Sequence, residues 1–218
     1  MRSLLHSVLD VFFPPRCVGC ETVLVTESVR MCCPRCDAAI RWINGPVGSP
    51  HIPLGLIDQL AACCALQGPM AQAIHRFKYG HRCDLARPLA TLLHSVIAAQ
   101  SADSVLVPVP LAQQRLRERG YNHTQLLARA LNRRNRVPVV AHALARVRET
   151  PPQVGQERKE RLTNVRGAFA VTAPAQLRGR DVVLVDDVMT TGATLSACAR
   201  AVRKAGARTV SAIVIAVA

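Results

Sequence analysis

Aromatic residues are scarce in this sequence, at 3% of its 218 residues, although 50% of the residues are hydrophobic. A core of any size must therefore be built from valine, leucine, isoleucine and alanine. Long apolar runs are also missing. No stretch approaches the roughly 18 consecutive apolar residues that a transmembrane helix needs, which predicts that no segment spans a membrane. The length suits one large domain, or one domain with a small appendage.

Acidic residues are few: 14 of them stand against 28 basic residues, so the net charge is +14. Such a surplus favours polyanionic partners, namely nucleic acid, phosphorylated substrates or anionic lipid. Lysine is nearly absent, with Lys78, Lys159 and Lys204 as its only occurrences. The codon usage of a GC-rich genome would explain arginine in place of lysine, but it does not explain the shortage of acids. Composition leaves both interpretations open: a functional anion-binding surface, or a bias of base composition.

A cleavable signal peptide is not predicted at the start of the sequence. The apolar residues of 1–13 are spaced as on one face of a helix, no small-residue cleavage site follows them, and Pro14-Pro15 ends the segment. We expect a short amphipathic helix that packs on the rest of the protein. Binding to a membrane surface is the alternative.

The most specific pattern lies in residues 182–195. Four apolar residues, three of them β-branched, predict a buried parallel strand over 182–185. Asp186 and Asp187 follow where that strand is predicted to end, and a helix is predicted over 194–205. The loop that leads into this helix consists of Thr190, Thr191, Gly192, Ala193 and Thr194.

A strand, a loop and a helix in this order direct backbone N–H groups and the positive end of a helix at one spot, which suits a phosphate group. The threonine hydroxyls add donors, and Gly192 allows the backbone to approach a ligand closely. The two carboxylates lie one turn away, where they can bind sugar hydroxyls directly or through Mg²⁺. Phosphate and polyol in one site indicate a phosphorylated ribose. The alternative is a parallel strand with an acidic end, as in many doubly wound proteins.

Apolar strand patterns alternate with helical patterns after residue 55. This alternation predicts an α/β fold with a mostly parallel sheet flanked by helices. Strands are predicted at 59–66, 104–109, 142–147, 167–171, 182–186 and 209–217, and helices at 70–79, 85–98, 124–134 and 194–205. A Gly/Pro-rich stretch over 45–55 comes before this region and predicts a loop or hinge.

Five of the nine cysteines lie in the first 44 residues, and four of them form two C-x-x-C pairs: Cys17 with Cys20, and Cys33 with Cys36. Four thiolates at this spacing can surround one Zn²⁺ ion tetrahedrally, which predicts a small structural zinc ribbon. A cytoplasmic, reducing location fits metal better than disulfides. Disulfides or a redox pair are the alternatives. Cys32 adjoins Cys33, and Cys33 is the preferred ligand because only it is in C-x-x-C register with Cys36.

Three basic segments are candidates to complete the site. The first follows a proline-broken strand and contains Arg119, which could bind a pyrophosphate leaving group; a solvated helix face is the alternative. The second, 146–161, has the polarity of a mobile lid and contains Arg158 and Lys159; a surface connection is the alternative. The third, 76–80, ends a helix, where cations are favourable without any function. Binding of an acceptor or of nucleic acid is the alternative there.

Taken in order, these motifs resemble those of the ComF family, the competence-associated proteins that are similar to phosphoribosyltransferases. They are the paired C-x-x-C, F-K-Y-G at 77–80, V-P-V-P-L at 107–111, R-L-R-E-R-G-Y-N at 115–122, R-x-R-x-T-x-x-Q at 146–153, N-V-R-G-A-F at 164–169 and the loop at 190–194. The resemblance covers residues 14–218. It implies a type I phosphoribosyltransferase-like domain over 56–218, and an N-terminal helix and four-cysteine zinc ribbon over 1–44.

The resemblance also implies a ligand, phosphoribosyl pyrophosphate (PRPP), bound with Mg²⁺. Asp186 and Asp187 would contact its ribose hydroxyls, and the 190–194 loop would hold its 5′-phosphate. The cations expected to stabilise the departing pyrophosphate are Arg119, Arg158 and Lys159. Two positions depart from the family pattern: Leu66-Gln67-Gly68 stands where an aromatic residue is often found, and His123 stands where glutamine is expected.

Two functions follow as hypotheses. The protein is either an enzyme that transfers phosphoribose from PRPP to a nitrogen nucleophile, or a non-catalytic, PRPP-liganded factor of DNA uptake that binds single-stranded DNA. A third hypothesis treats the ribbon as a docking module for a helicase-like competence protein.

Overall fold

A computed structural model describes residues 14–24, 31–43, 46–49, 52–97, 103–148 and 167–218 of the chain. The helix predicted over 1–13 lies outside the described residues, as do Arg158 and Lys159.

A four-stranded parallel sheet forms the centre of the structure. Its strands are β1 (Gln59–Ala65), β2 (Ser104–Pro108), β5 (Asp181–Met189) and β6 (Thr209–Val217), in the spatial order β1-β6-β5-β2. Each neighbouring pair is parallel, so the carboxyl ends of all four strands lie at one edge of the sheet, the carboxyl edge. The predicted α/β fold with a mostly parallel sheet is confirmed.

A second, smaller sheet is antiparallel. It consists of β3 (Leu144–Arg146) and β4 (Phe169–Val171), three residues each. Both strands were predicted, but they were expected to belong to the mostly parallel sheet and not to a separate antiparallel pair. A short apolar pattern identifies an extended segment without revealing its partner, so periodicity alone could not assign these strands to a separate pair.

Six α-helices are seen in the described residues. They are α1 (Pro34–Ala39), α2 (Gly68–Tyr79), α3 (Ala86–Ile97), α4 (Gln113–Arg119), α5 (His123–Asn135) and α6 (Ala193–Lys204). The four long ones match the four predicted helices closely, whereas α1 and α4 were not predicted. These two have 6 and 7 residues, too few to show a helical period in the sequence. Among the described helices, none has the length and apolar character that crossing a membrane requires.

Helices cover both faces of the parallel sheet. Successive side chains of β5 and β6 alternate between two hydrophobic clusters, as the pleat of a strand requires. Val183 and Ile213 belong to the first cluster, together with residues of α2, α3, α5 and the cysteine-rich N-terminal segment. Leu184 and Val214 belong to the second, with residues of α6, β3 and β4. The N-terminal segment therefore shares a core with the first face of the sheet.

The stretch around the predicted hinge pairs with β1, the edge strand. The Ile43 N–H donates to the Cys63 carbonyl at 2.9 Å, and the Val47 N–H donates to the Leu60 carbonyl at 2.9 Å. An edge position tolerates the prolines of this stretch, because a strand edge needs only alternate backbone donors. The described part of the Gly/Pro-rich stretch thus lines the sheet edge, where the sequence predicted a loop or hinge.

Candidate active site

The acidic pair lies inside β5, not after it. The strand was predicted to end at the pair, yet it continues to Met189, with Asp186 opposite Val214 and Met189 opposite Val217 of β6. Asp186 is 9% exposed and Asp187 is 2% exposed. Carboxylates are unusual in a buried strand, which is why the pattern of apolar residues placed the end too early. The pair therefore needs partners that stabilise its charge.

The two carboxyl groups are held in different protonation states. Burial, followed by the neighbouring Asp187 carboxylate, raises the pKa of Asp186 to about 8. Burial would raise the pKa of Asp187 as well, but His123 and Lys78 outweigh it and hold that pKa well below its ordinary value. The Asp187 N–H also donates to Asp186 Oδ1 at 2.9 Å. Asp187 thus carries the negative charge of the pair at neutral pH.

Lys78 is the first partner of Asp187. Its Nζ atom lies 2.9 Å from Asp187 Oδ2, and the ammonium group is brought there by the last turn of α2. The sequence suggested either a dipole-stabilising role at this helix end or a role in binding an acceptor. Its contact with the acidic pair was not foreseen, because α2 and β5 are more than a hundred residues apart in the chain.

His123 is the second partner. Its Nε2 atom lies 3.2 Å from Asp187 Oδ2, and its Nδ1 atom lies 3.0 Å from Arg119 Nη1. A guanidinium group can only donate, so Nδ1 accepts and the ring hydrogen is on Nε2, facing Asp187. Arg119, a predicted site residue, is 9% exposed and reaches the acidic pair through this imidazole.

Asp187 Oδ2 accepts no well-aligned hydrogen bond from the described residues, although the Lys78 ammonium and the His123 Nε2–H both lie close to it. A buried carboxylate oxygen in this condition is suited to accept a hydroxyl or to coordinate a cation. One ligand atom each from His123, Asp186 and Asp187 also lies within 4.8 Å of the other two. Of these three groups only the Asp186 and Asp187 carboxylates can supply the oxygen ligands that hard cations take, because His123 Nε2 carries its hydrogen.

Aromatic contacts hold the basic motifs together. The Tyr121 hydroxyl donates to the Phe77 carbonyl, and the Phe77 and His123 rings meet edge to face with centroids 6.0 Å apart. The Arg119 guanidinium lies 4.7 Å from the centre of the Tyr79 ring. The segments 77–80 and 119–123 are therefore interlocked beside the acidic pair, although they are separate motifs in the sequence.

The predicted phosphate loop lies at the carboxyl edge of the sheet, between β5 and α6. Gly192 occupies the position before the helix with a φ of 78°, in the left-handed region. Thr191 is buried and its hydroxyl accepts from the Ala193 N–H at 3.4 Å, whereas Thr190 is exposed and Thr194 is half-buried. Because β5 ends at Met189 and α6 begins at Ala193, the N-terminus of α6 lies at the carboxyl edge of the sheet.

The Gly/Pro-rich stretch braces this loop. The Ser49 hydroxyl donates to the Thr191 carbonyl at 3.1 Å. A Cβ atom at Gly192 would lie 2.7 Å from Ile52 Cγ1, so this position requires glycine for its packing as well as for its φ. No signal in the sequence indicated that residues 49 and 52 reach the loop, since more than a hundred residues separate them.

The four cysteines predicted to bind zinc are brought together. One sulfur atom each from Cys17, Cys20, Cys33 and Cys36 lies within 4.8 Å of the others, and the Cys20 and Cys33 sulfurs are 3.7 Å apart. A tetrahedron with Zn–S bonds of about 2.3 Å has sulfur–sulfur edges of about 3.8 Å. The donor set and spacing therefore fit a structural zinc ion.

Hydrogen bonds from Thr22 lower the pKa of the Cys20 thiol to about 6, toward the thiolate that a metal needs. Burial raises the pKa of Cys32 to about 12, so that neighbour remains a thiol in the hydrophobic core. All nine cysteines are free of disulfides.

Comparison with known families gives two matches. Residues 117–217 match the phosphoribosyl transferase domain, and residues 8–49 match the double zinc ribbon domain. Both matches coincide with features of the structure. The first spans the acidic pair and the loop 190–194, and the second spans the four cysteines.

Several relatives are similar to the chain along most of their length. DNA utilization protein YhgH of Shigella flexneri is 31% identical over 198 residues, which cover 85% of this chain and 83% of the relative. Competence protein F of Haemophilus influenzae is 28% identical over 214 residues, covering 89% and 93% respectively. A shorter match, to competence protein ComFC of Bacillus subtilis, is 31% identical over 139 residues and covers 63% and 55%.

Proposed function

The chain belongs to the ComF family and combines a phosphoribosyltransferase domain with a zinc ribbon, and we propose that it binds PRPP at the loop Thr190–Thr194. One observation carries the proposal: the loop 190–194 leads into the N-terminus of α6 at the carboxyl edge of a parallel sheet, and it follows a strand that contains two buried carboxyl groups. Ligands of open α/β sheets bind at this edge.

Each part of the site matches one part of the ligand. The hydroxyls of Thr190, Thr191 and Thr194 and the N–H groups of the first turn of α6 would hold the 5′-phosphate. Asp187, ionised and without a well-aligned donor on Oδ2, would accept the ribose hydroxyls together with Asp186. Mg²⁺ bound to the pyrophosphate would neutralise part of its charge.

Lys78 extends the predicted set of cations. Its ammonium group occupies the same carboxylate oxygen that a ligand hydroxyl would approach, so binding of PRPP would release Lys78 toward the pyrophosphate. Together with the predicted Arg119, Arg158 and Lys159, it would stabilise negative charge on the leaving group. In a transfer reaction the bond from C1 to the pyrophosphate oxygen breaks, its electron pair leaves with the pyrophosphate, and a nitrogen nucleophile bonds to C1 and loses a proton.

A titration calorimetry experiment tests the binding site. We expect the wild-type protein to bind PRPP only with Mg²⁺, and Asp187→Asn to weaken binding by about tenfold or more, because the amide cannot supply the anionic acceptor. Asp103→Asn is the matched control, since Asp103 is exposed and precedes β2 at the opposite edge of the sheet. Equal affinity of Asp187→Asn and the wild type would contradict the proposed site.

A second function is favoured by the charge distribution and by the names of the relatives. The arginines at positions 117, 129, 133 and 136 on and after α4 and α5 are exposed, in a chain with a net charge of +14. The relatives carry the names "DNA utilization" and "competence". In this alternative the protein is a non-catalytic factor of DNA uptake that binds single-stranded DNA while liganded by PRPP.

The salt dependence of oligonucleotide binding distinguishes the DNA-binding factor from the enzyme. For a DNA-binding factor we expect the affinity for a labelled single-stranded oligonucleotide to fall steeply with salt, with a log–log slope of about 0.7 per phosphate contact. The slope should decrease in Arg129→Gln/Arg133→Gln and should be unchanged in Arg87→Gln, an exposed arginine of α3. A failure to bind the oligonucleotide would remove this alternative.

A further inference from the structure

The end of α2 is attached to the first cysteine knuckle of the zinc cluster. Arg76 Nη2 donates to the carbonyls of Val18 and Gly19, at 2.7 Å each. Its Nε atom also lies 3.8 Å from Glu21. One side chain of α2 is therefore bound to both residues that lie between Cys17 and Cys20.

The start of α2 is packed against the same knuckle. A Cβ atom at Gly19 would lie 2.7 Å from Pro69 Cβ and 2.9 Å from Cys36 Sγ. The backbone of Gly19 does not have a positive φ, so glycine is needed here for close approach and not for conformation. Val18, Cys36 and Phe77 are all buried in one hydrophobic cluster. The knuckle thus contacts α2 at both of its ends.

Arg76 and Lys78 lie on opposite sides of the last turn of α2. Two residues turn an α-helix by about 200°, so when Arg76 points to the knuckle, Lys78 points away from it. Lys78 is the residue whose ammonium group lies 2.9 Å from Asp187. The short turn between them therefore connects the zinc cluster to the acidic pair.

The positions of the two knuckle carbonyls depend on the metal. A segment of this size has little core of its own, and zinc supplies most of the energy that orders such a ribbon. Without zinc the four thiol groups are no longer held around one centre, and the carbonyls that accept from Arg76 lose their fixed position.

We propose that Arg76 is a positioning residue that couples the zinc cluster to the acidic pair, so that zinc in the ribbon strengthens binding of PRPP by fixing the last turn of α2, from which Lys78 would reach the pyrophosphate. This inference rests on the proposed PRPP site. Coupling between two sites is reciprocal, so PRPP must in turn raise the affinity for zinc by the same factor.

Binding measurements test both directions of the coupling. Mg²⁺–PRPP is titrated into the wild type, Arg76→Gln and Arg87→Gln, each before and after treatment with a chelator that removes zinc and leaves Mg²⁺. We expect removal of zinc to weaken PRPP binding about tenfold in the wild type and in Arg87→Gln. Arg76→Gln should bind about tenfold more weakly with zinc present, and chelation should have no further effect. In the reverse direction, PRPP should raise the zinc affinity of the wild type, measured by competition with a chelator, but not that of Arg76→Gln.

Equal PRPP affinity of the zinc-loaded and zinc-free wild type overturns the coupling. If the wild type does not bind PRPP in either state, the proposed function fails, and hydrogen–deuterium exchange of residues 77–80 then decides on the coupling alone. Faster exchange there after zinc removal, with exchange of β6 unchanged, supports the attachment through Arg76. Unchanged exchange overturns it, and this comparison on the wild type remains decisive even where Arg76→Gln does not fold.

Discussion

His123 presents the same two groups as a glutamine amide. Nδ1 accepts from Arg119, and the hydrogen on Nε2 faces Asp187, just as the oxygen and nitrogen of an amide would. The ComF motif pattern leads to the expectation of glutamine at this position. The departure therefore keeps the chain of contacts from Arg119 to Asp187, with a ring that also packs against Phe77.

This equivalence predicts that His123→Gln retains PRPP affinity within about threefold, whereas His123→Leu loses about tenfold or more. Leucine removes the acceptor of a buried guanidinium and the donor that faces Asp187, and each unpaired buried group costs about 1–3 kcal/mol. Calorimetric titration of both variants with Mg²⁺–PRPP checks the prediction. Equal losses in the two variants would show that the ring itself, and not its hydrogen-bonding pattern, is required.

At the scale of elements, the loop before α6 depends on a segment distant in sequence. Ser49 donates to its backbone and Ile52 packs against Gly192. The sequence predicted the loop and its glycine, because strand, loop and helix are consecutive and local. The brace was not predictable, because it arises only when the Gly/Pro-rich stretch pairs with β1 and is carried along the sheet edge.

A comparison of two glycines separates the two reasons for glycine at position 192, namely a positive φ and close packing against Ile52. Gly192 and Gly179 both have positive φ, 78° and 71°, but a Cβ atom at Gly179 would meet nothing within 4 Å. We expect Gly179→Ala to lower the free energy of unfolding by about 1 kcal/mol, from backbone strain alone.

Gly192→Ala should cost about 1 kcal/mol more than Gly179→Ala, because its methyl group also overlaps Ile52. The additional cost should disappear when Gly192→Ala is combined with Ile52→Ala, as a double-mutant cycle in urea unfolding measures. Strictly additive costs would show that the contact with Ile52 contributes nothing.

At the scale of the whole molecule, the cysteine-rich segment and the sheet share one hydrophobic cluster. Cys17, Val18 and Ile40 pack in it with Met70 of α2 and Leu89 of α3. The division into 1–44 and 56–218 stays a prediction, because the described residues on both sides contribute to the same core. We expect the two parts to stabilise each other.

Loss of the metal should therefore destabilise more than the ribbon. Cys33→Ser should lose stoichiometric zinc and lower the melting temperature of the entire protein, because α2 loses its contacts with the knuckle. Cys32→Ser is the matched control and should retain zinc, since Cys32 is buried outside the group of four sulfurs. Zinc content by atomic absorption and thermal unfolding check the pair. If Cys33→Ser retained zinc and Cys32→Ser lost it, Cys32 and not Cys33 would be the zinc ligand.

Features that depend on neighbours along the chain could be predicted from the amino-acid sequence alone. Examples are the strand and loop at 182–194 and the paired C-x-x-C, where residue type and spacing over a few positions define the backbone and the chemistry. The four long helices followed in the same way from local periodicity.

Which distant groups meet became known from the three-dimensional structure. It placed Lys78 and His123 on Asp187, Ser49 on the loop before α6 and Arg76 on the cysteine knuckle. The structure also shows that β5 continues through Asp186 and Asp187. A carboxylate can lie within a buried strand only where polar groups from other elements offset its loss of hydration, and here these are the Lys78 ammonium of α2 and the His123 Nε2–H at the start of α5. Local pattern carries no information about such partners, because long-range packing brings them together.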